Sequence, residues 1–175
     1  MEPLPELGAT ALDSMRVRIT GVLPAQIRAC LASLSDDQLW WRPNQASNSV
    51  GNLVLHVSGA IMEFLCRRVG GFPYERDREA EFREQRAINR DLLLKIFDKA
   101  IVQASETLER LPSSHLSEAS TNPAYYSLLL EDILGVTVHM ATHTGQIVFI
   151  TKMLNEGSVV ELWPQTHRQA GAWRS

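Results

Sequence analysis

Two histidines four residues apart, His139 and His143, stand inside the most apolar run of the chain, residues 128–154. No other feature constrains the fold as strongly. In a helix, positions i and i+4 lie one above the other, so both imidazoles point the same way and can share one metal ion. A buried imidazole without a partner carries a desolvation cost. Two on one apolar face therefore require hydrogen-bond partners or a cation. Pairs with this spacing also arise by chance, so the pair alone does not establish a site. The remaining chain is best read as the scaffold that brings in a third ligand.

At 175 residues and 45% apolar side chains, the sequence suits a single domain with one hydrophobic core. The expected domain is 1–175, a helical bundle over about 8–156 with an irregular C-terminal arm over 157–175. Net charge is −3 and the basic residues are scattered, so no nucleic-acid footprint is expected. Cys30 and Cys66 sit in apolar patterns without Cys-x-x-Cys spacing, which fits buried reduced thiols in a cytoplasm. The first residues, with Pro3 and Pro5, lack the basic flank and apolar run of a signal peptide. Glu131, Asp132, His139 and His143 interrupt the most apolar segment, which argues against a membrane span. The expected protein is cytoplasmic.

Along the chain, Leu12, Met15, Ile19, Val22, Leu23, Ile27, Cys30, Leu31 and Leu34 recur at helical spacing and predict a first helix over 9–34. Pro24 either kinks it or splits it in two. Of the adjacent Trp40 and Trp41, at least one is expected to plug the bundle end, because both cannot face one packing seam. Ser47, Asn48 and Ser49 are good N-caps for a second helix over 50–69, stopped at Gly70 and Gly71. One side of that helix carries Ser49, Asn52, His56, Gly59 and Glu63. The stripe is short of charge and rich in small residues, which favours a site over a solvated face.

Residues 75–84 are dense in mixed charge and are expected to be solvated, with Asp77 and Glu81 rimming an active-site mouth as the alternative. A third helix is predicted over 89–111, closed by Pro112, and a crossover over 113–127 contains His115, read as a surface residue. The fourth helix, 128–154, is nearly apolar all round and is expected in the middle of the bundle, with Asp132, His139, His143 and Gln146 near one face. Gly135 and Gly145 beside that face would permit close backbone approach. The tail, with Trp163, His167 and Trp173, is expected to pack on the bundle or on a second subunit.

His56, on a separate helix within its own polar stripe, makes a three-histidine site plausible. Three protein ligands leave a coordination position for water or substrate, as catalytic sites do. A His-Glu-x-x-His peptidase pattern is absent, as is the Glu-x-x-His pair of carboxylate-bridged two-metal bundles. Asn52, Glu63, Asp132 and Gln146 are candidates for orienting ligands or substrate. Glu63 and Asp132 lie two helical turns from their histidines, about 10.5 Å along the axis, too far to bind the same ion.

Taken together, Asn48-Ser49-Val50, Leu55-His56-Val57-Ser58-Gly59, residues 76–82, His139-x-x-x-His143-Thr144-Gly145-Gln146-Ile147 and Leu39-Trp40-Trp41-Arg42-Pro43 resemble the DinB-like metal-binding superfamily, and more narrowly a small uncharacterised branch of it. The resemblance runs from the first helix through Leu154. It implies an all-α four-helix bundle with up-down-down-up connectivity, a divalent metal on His56, His139 and His143, and homodimers. It also implies a metal-dependent enzyme that activates a low-molecular-weight thiol for transfer to an electrophile. A hydrolase using a metal-bound hydroxide, or a non-enzymatic metal-stabilised dimeric binding protein, are the alternatives. Zinc or nickel is the expected ion, and a small molecule the expected substrate.

Overall fold

The computed structural model describes residues 6–85, 88–160 and 162–169, and these are helical with no strand among them. The chain opens with α1 (Leu7–Val17), a π-helical turn (Arg18–Val22) and α2 (Leu23–Ser33), in unbroken helical succession. Pro24 neither splits this segment nor forces a loop. Its ring nitrogen has no hydrogen to give the carbonyl four residues back, and the turn just before it widens to i→i+5 bonding, which absorbs the defect. A single turn, α3 (Asp36–Leu39), follows behind a Ser35 capping box.

The second long segment is α4 (Val50–Ala60), continued by a π-helical stretch, Ile61–Arg67. Ser49 caps it by accepting from the Asn52 amide, while Asn52 reaches back to the Ser49 N–H. A short helix, α5 (Arg78–Arg83), capped by Asp77, lies over α4, and α6 (Arg90–Arg110) begins at the Asn89 cap. Residues 113–117 form a 3-10 turn, and α7 (Leu129–Leu154) is the longest element. The expected arm over 157–175 is not wholly irregular, because Leu162–Gln169 form α8, which packs on α2 and buries Thr166 and His167. Trp173 lies outside the described residues.

One core cluster draws on every long segment. Ile19, Ile27 and Leu31, with Val54, Val57, Phe97, Ile133, Met140 and Ile147, are fully buried within it. Trp40 is buried with them, its ring against Gly51, where a Cβ would overlap the indole, and its N–H donates to the Ile88 carbonyl at 2.9 Å. Cys30 and Cys66 are buried free thiols, and burial pushes Cys66 up to about 12.

Helix α7 departs from expectation in two ways. By length and composition it is apolar enough to cross a membrane, since only Glu131, Asp132 and Lys152 interrupt it with charge. Nor is it central. Leu134, Val138, Phe149 and Met153 share a face that the described residues cover only in part, with Val138 56% and Phe149 66% exposed. The opposite face packs on α2 and α4. A helix apolar all round needs apolar cover on both sides, and the described residues supply it on one.

Candidate metal centre

His56 projects from α4, and His139 and His143 from successive turns of α7, the helix packed against it. The Nε2 atoms of His56 and His139 are 3.0 Å apart, and those of His139 and His143 are 3.2 Å apart. All three ligand nitrogens lie within 4.8 Å of one another. Two nitrogens sharing one ion at about 2.0–2.1 Å stand about 3.3 Å apart in tetrahedral geometry. The three histidines are thus close enough to bind one metal ion.

The outer nitrogens show how the imidazoles are held. Nδ1 of His56 lies 2.8 Å from Oε2 of Glu81, and Nδ1 of His143 lies 2.7 Å from Oε1 of Gln146. An oxygen acceptor at Nδ1 keeps the proton there and leaves the Nε2 lone pair bare, facing the common point. The Nε2 contacts of His139 with His56 and His143 are also of hydrogen-bond length, so it is the convergence of all three on one point that fits a shared ion. The donor set fits a divalent transition metal.

Burial pushes the His139 imidazole down to about 4, with the neighbouring His143, His56 and Arg76 charges adding to the shift and Glu81 opposing it. Burial also lowers His143, partly offset by its bond to Gln146. These two rings are neutral at pH 7, the form that ligates a metal.

Glu81 corrects the expectation that residues 75–84 are simply solvated. Its side chain is only 9% exposed and pairs with Arg76, itself 11% exposed, through Nε to Oε1 at 2.7 Å and Nη2 to Oε2 at 2.9 Å. Burial alone would raise the Glu81 carboxyl; the bonds and charges of His56 and Arg76 more than offset this and hold it low. It does not stand at the rim but directly behind His56. Asp77, by contrast, is exposed and caps α5. Periodicity hid Glu81 because it sits on a short helix in a charged run. A signal did exist: Gly59, one turn beyond His56, is where a Cβ would overlap Oε1 of Glu81. The small residue in the polar stripe is the seat of the carboxylate.

The other motif residues secure this arrangement from a distance. Asn52 is fully buried and touches no imidazole; its amide nitrogen donates to the Glu81 and Glu84 carbonyls at 2.9 and 3.0 Å. Arg42 donates to Oδ1 of Asn52 and to the Phe82 carbonyl, and the Phe82 ring packs on His56 with centroids 4.8 Å apart. The Leu39–Pro43 signature thus helps to pin the segment that carries Glu81.

Of the remaining candidates, Gln146 alone touches a histidine. Glu63 is engaged by Arg67 and Arg68, whose bonds bring its carboxyl down to about 2. Asp132 is buried and accepts from the Ser120 and Thr121 hydroxyls and the Thr121 amide, fastening the crossover to α7. Neither carboxylate hydrogen-bonds to a histidine. Gly135 does receive a close neighbour, the Tyr126 phenol, whereas Gly145 faces open space.

An all-helical chain with three convergent imidazoles, two of them oriented from behind, carries a group that could hold a metal ion. The chain is a member of the family described as protein of unknown function DUF1572, matched over residues 6–163, and that family is DinB-like. No curated protein and no solved structure matches it.

Proposed function

We propose that this chain is a single-domain divalent-metal-binding protein in which His56, His139 and His143 hold one ion, working as a metal-dependent enzyme of the DinB-like type. The observation that carries the reading is the convergence of three Nε2 atoms whose outer nitrogens, on His56 and His143, are committed to Glu81 and Gln146. Three imidazole nitrogens suit zinc or nickel, and a fourth position is left for a ligand. Bound there, the ion would supply Lewis acidity, lowering the pKa of the thiol or water that occupies the open position. The chain's own part is to keep two lone pairs aimed inward through Glu81 and Gln146, and to admit the substrate beside His139.

The assignment is transfer of a low-molecular-weight thiol to a small electrophile, and the thiol follows from the family resemblance rather than from the site. Up-down-down-up connectivity of the four long helices and a cytoplasmic location belong to the same reading. A homodimer is supported by the largely exposed stripe Leu134, Val138, Phe149 and Met153, because a two-fold pairing lays one apolar face on its own copy.

The test is elemental analysis of untagged protein, parent and His56→Ala, His139→Ala and His143→Ala. About one equivalent of zinc or nickel is expected in the parent and none in the variants. A screen of cofactor thiols against monochlorobimane then separates activities. Thiol-dependent turnover supports the transferase; ester or amide turnover without a thiol replaces it with a hydrolase. Metal content unchanged by all three variants would refute the site.

A further inference from the structure

A cleft of about 220 Å³ opens beside His139, between the π-helical end of the second long segment and the first half of α7. Its walls are chiefly apolar: Ala60, Phe64 and Val136, with the rings of Tyr125 and Tyr126. Asp132 and Asn122 on its border are engaged: Asp132 accepts from the neutral donors of Ser120 and Thr121, and Asn122 accepts from Arg68, which is itself bound to Glu63. No Lys or Arg lines the cleft and the Asp132 carboxylate keeps its negative charge, so an anionic ligand would find no counter-ion there. For scale, an apolar cavity of about 150 Å³ takes up benzene, so this space suits one substituted ring.

Tyr126 has an unusual seat. Gly135 lies four residues before His139 and shares its helix face, and a Cβ there would collide with the Tyr126 hydroxyl. The phenol occupies the space that any other side chain would fill. A glycine inside a long helix costs about 1 kcal/mol relative to alanine, and here the missing methyl admits Tyr126 to the cleft wall. The hydroxyl has no hydrogen-bond partner among the described residues, and both Tyr126 and His139 line the cleft.

We propose that this cleft binds, against the histidines, a small ligand of one-ring size that carries no negative charge, and that Tyr126, seated on Gly135, selects it. The ring of Tyr126 supplies a packing wall, and its hydroxyl donates to an acceptor on the ligand. As a substrate site the cleft rests on the metal reading above; as a binding site it is tested without metal.

The experiment is fluorine NMR titration of the full chain with 4-fluorobenzyl alcohol, comparing metal-stripped and zinc-loaded protein. On metal-stripped protein, 4-fluorobenzoate serves as the anionic counterpart. The alcohol binds saturably to both forms, and the benzoate binds at least about tenfold more weakly, for want of a counter-ion. Tyr126→Phe weakens the alcohol by about fivefold through loss of one hydrogen bond. Tyr126→Ala and Gly135→Ala each weaken it by about tenfold or more, the second by evicting the phenol. Because alanine is the better helix former, Gly135→Ala should melt no lower than the parent, so lost binding there is not unfolding. Absence of saturable binding to either form overturns the proposal, as does binding indifferent to both alanine variants, or benzoate that binds as well as the alcohol. If zinc is held but the alcohol does not bind, the cleft proposal falls and the metal reading stands. If the alcohol binds but the protein takes up no zinc on loading, the cleft stands and the metal reading falls.

Discussion

Gly59→Ala adds one methyl group at the point where the Glu81 carboxylate rests, and its consequence separates local helix energetics from site geometry. By propensity alone the change stabilises α4 by about 1 kcal/mol. The added Cβ, however, would overlap Oε1 of Glu81, whose carboxylate is held between His56 and Arg76 and whose backbone is tied by Asn52. The carboxylate must leave. His56 then loses the acceptor that fixes its tautomer, and Arg76 loses its counter-ion. Losing an outer partner of a metal-bound histidine typically costs 10–100-fold in metal affinity, about 1.4–2.7 kcal/mol. Breaking a buried pair by removing one partner costs about 3–5 kcal/mol; the Arg76 head can swing toward solvent, and the propensity gain offsets part, leaving a net loss of about 2 kcal/mol. For a chain of this size that corresponds to about 4–8 °C in Tm. The assays are competition titration of zinc against a chromophoric chelator, and thermal unfolding of the metal-stripped protein. Glu81→Gln, which keeps the shape and loses the charge, should fall between parent and Gly59→Ala. If Gly59→Ala binds zinc within twofold of the parent and melts no lower, Glu81 does not orient His56 and the reasoning fails.

Replacing His139 with alanine removes the nitrogen that neighbours both others, so zinc affinity should fall beyond the about 100-fold ceiling for loss of an outer partner, read by the same titration. Metal-stripped protein should lose stability on acidification: burial holds His139 at about 4 against an ordinary 6.5, so the unfolded chain binds the proton first. That contribution is complete above pH 6.5 and vanishes as pH falls toward 4, worth about 3 kcal/mol undiminished and about 1–2 kcal/mol after solvent screening of a partly exposed ring. Denaturant midpoints that stay flat between pH 7 and 4 would contradict it. Val138→Glu, on the largely exposed face of α7, should shift the proposed dimer to monomer in light scattering without lowering zinc content, because Val138 points away from the core. Phe97→Ala, fully buried in the core, should cost about 3–5 kcal/mol in chemical denaturation, whatever the metal content.

Most of the helical content is legible without coordinates because burial imposes a period on the sequence. The spacing of Leu93, Phe97, Ala100, Ala104 and Leu108 marks α6 almost to its ends, and Asn89 and Ser49 announce their helices because a side-chain oxygen must satisfy an orphan N–H. His139 and His143 share a face by helical geometry alone, a local property that needs no fold. Three things belonged to the tertiary structure. His56 meets that pair only because α4 packs on α7 in one particular register. Glu81 and Arg76 are buried because Asn52 and Arg42 draw a charged segment down over α4, and charge density along a chain says nothing about what will cover it. The outer face of α7 is left largely exposed by the described residues, although Leu134, Val138, Phe149 and Met153 are as apolar as the inner ones. Hydrophobic periodicity reports which residues seek to leave water, and only the packing of the remaining chain decides which of them do.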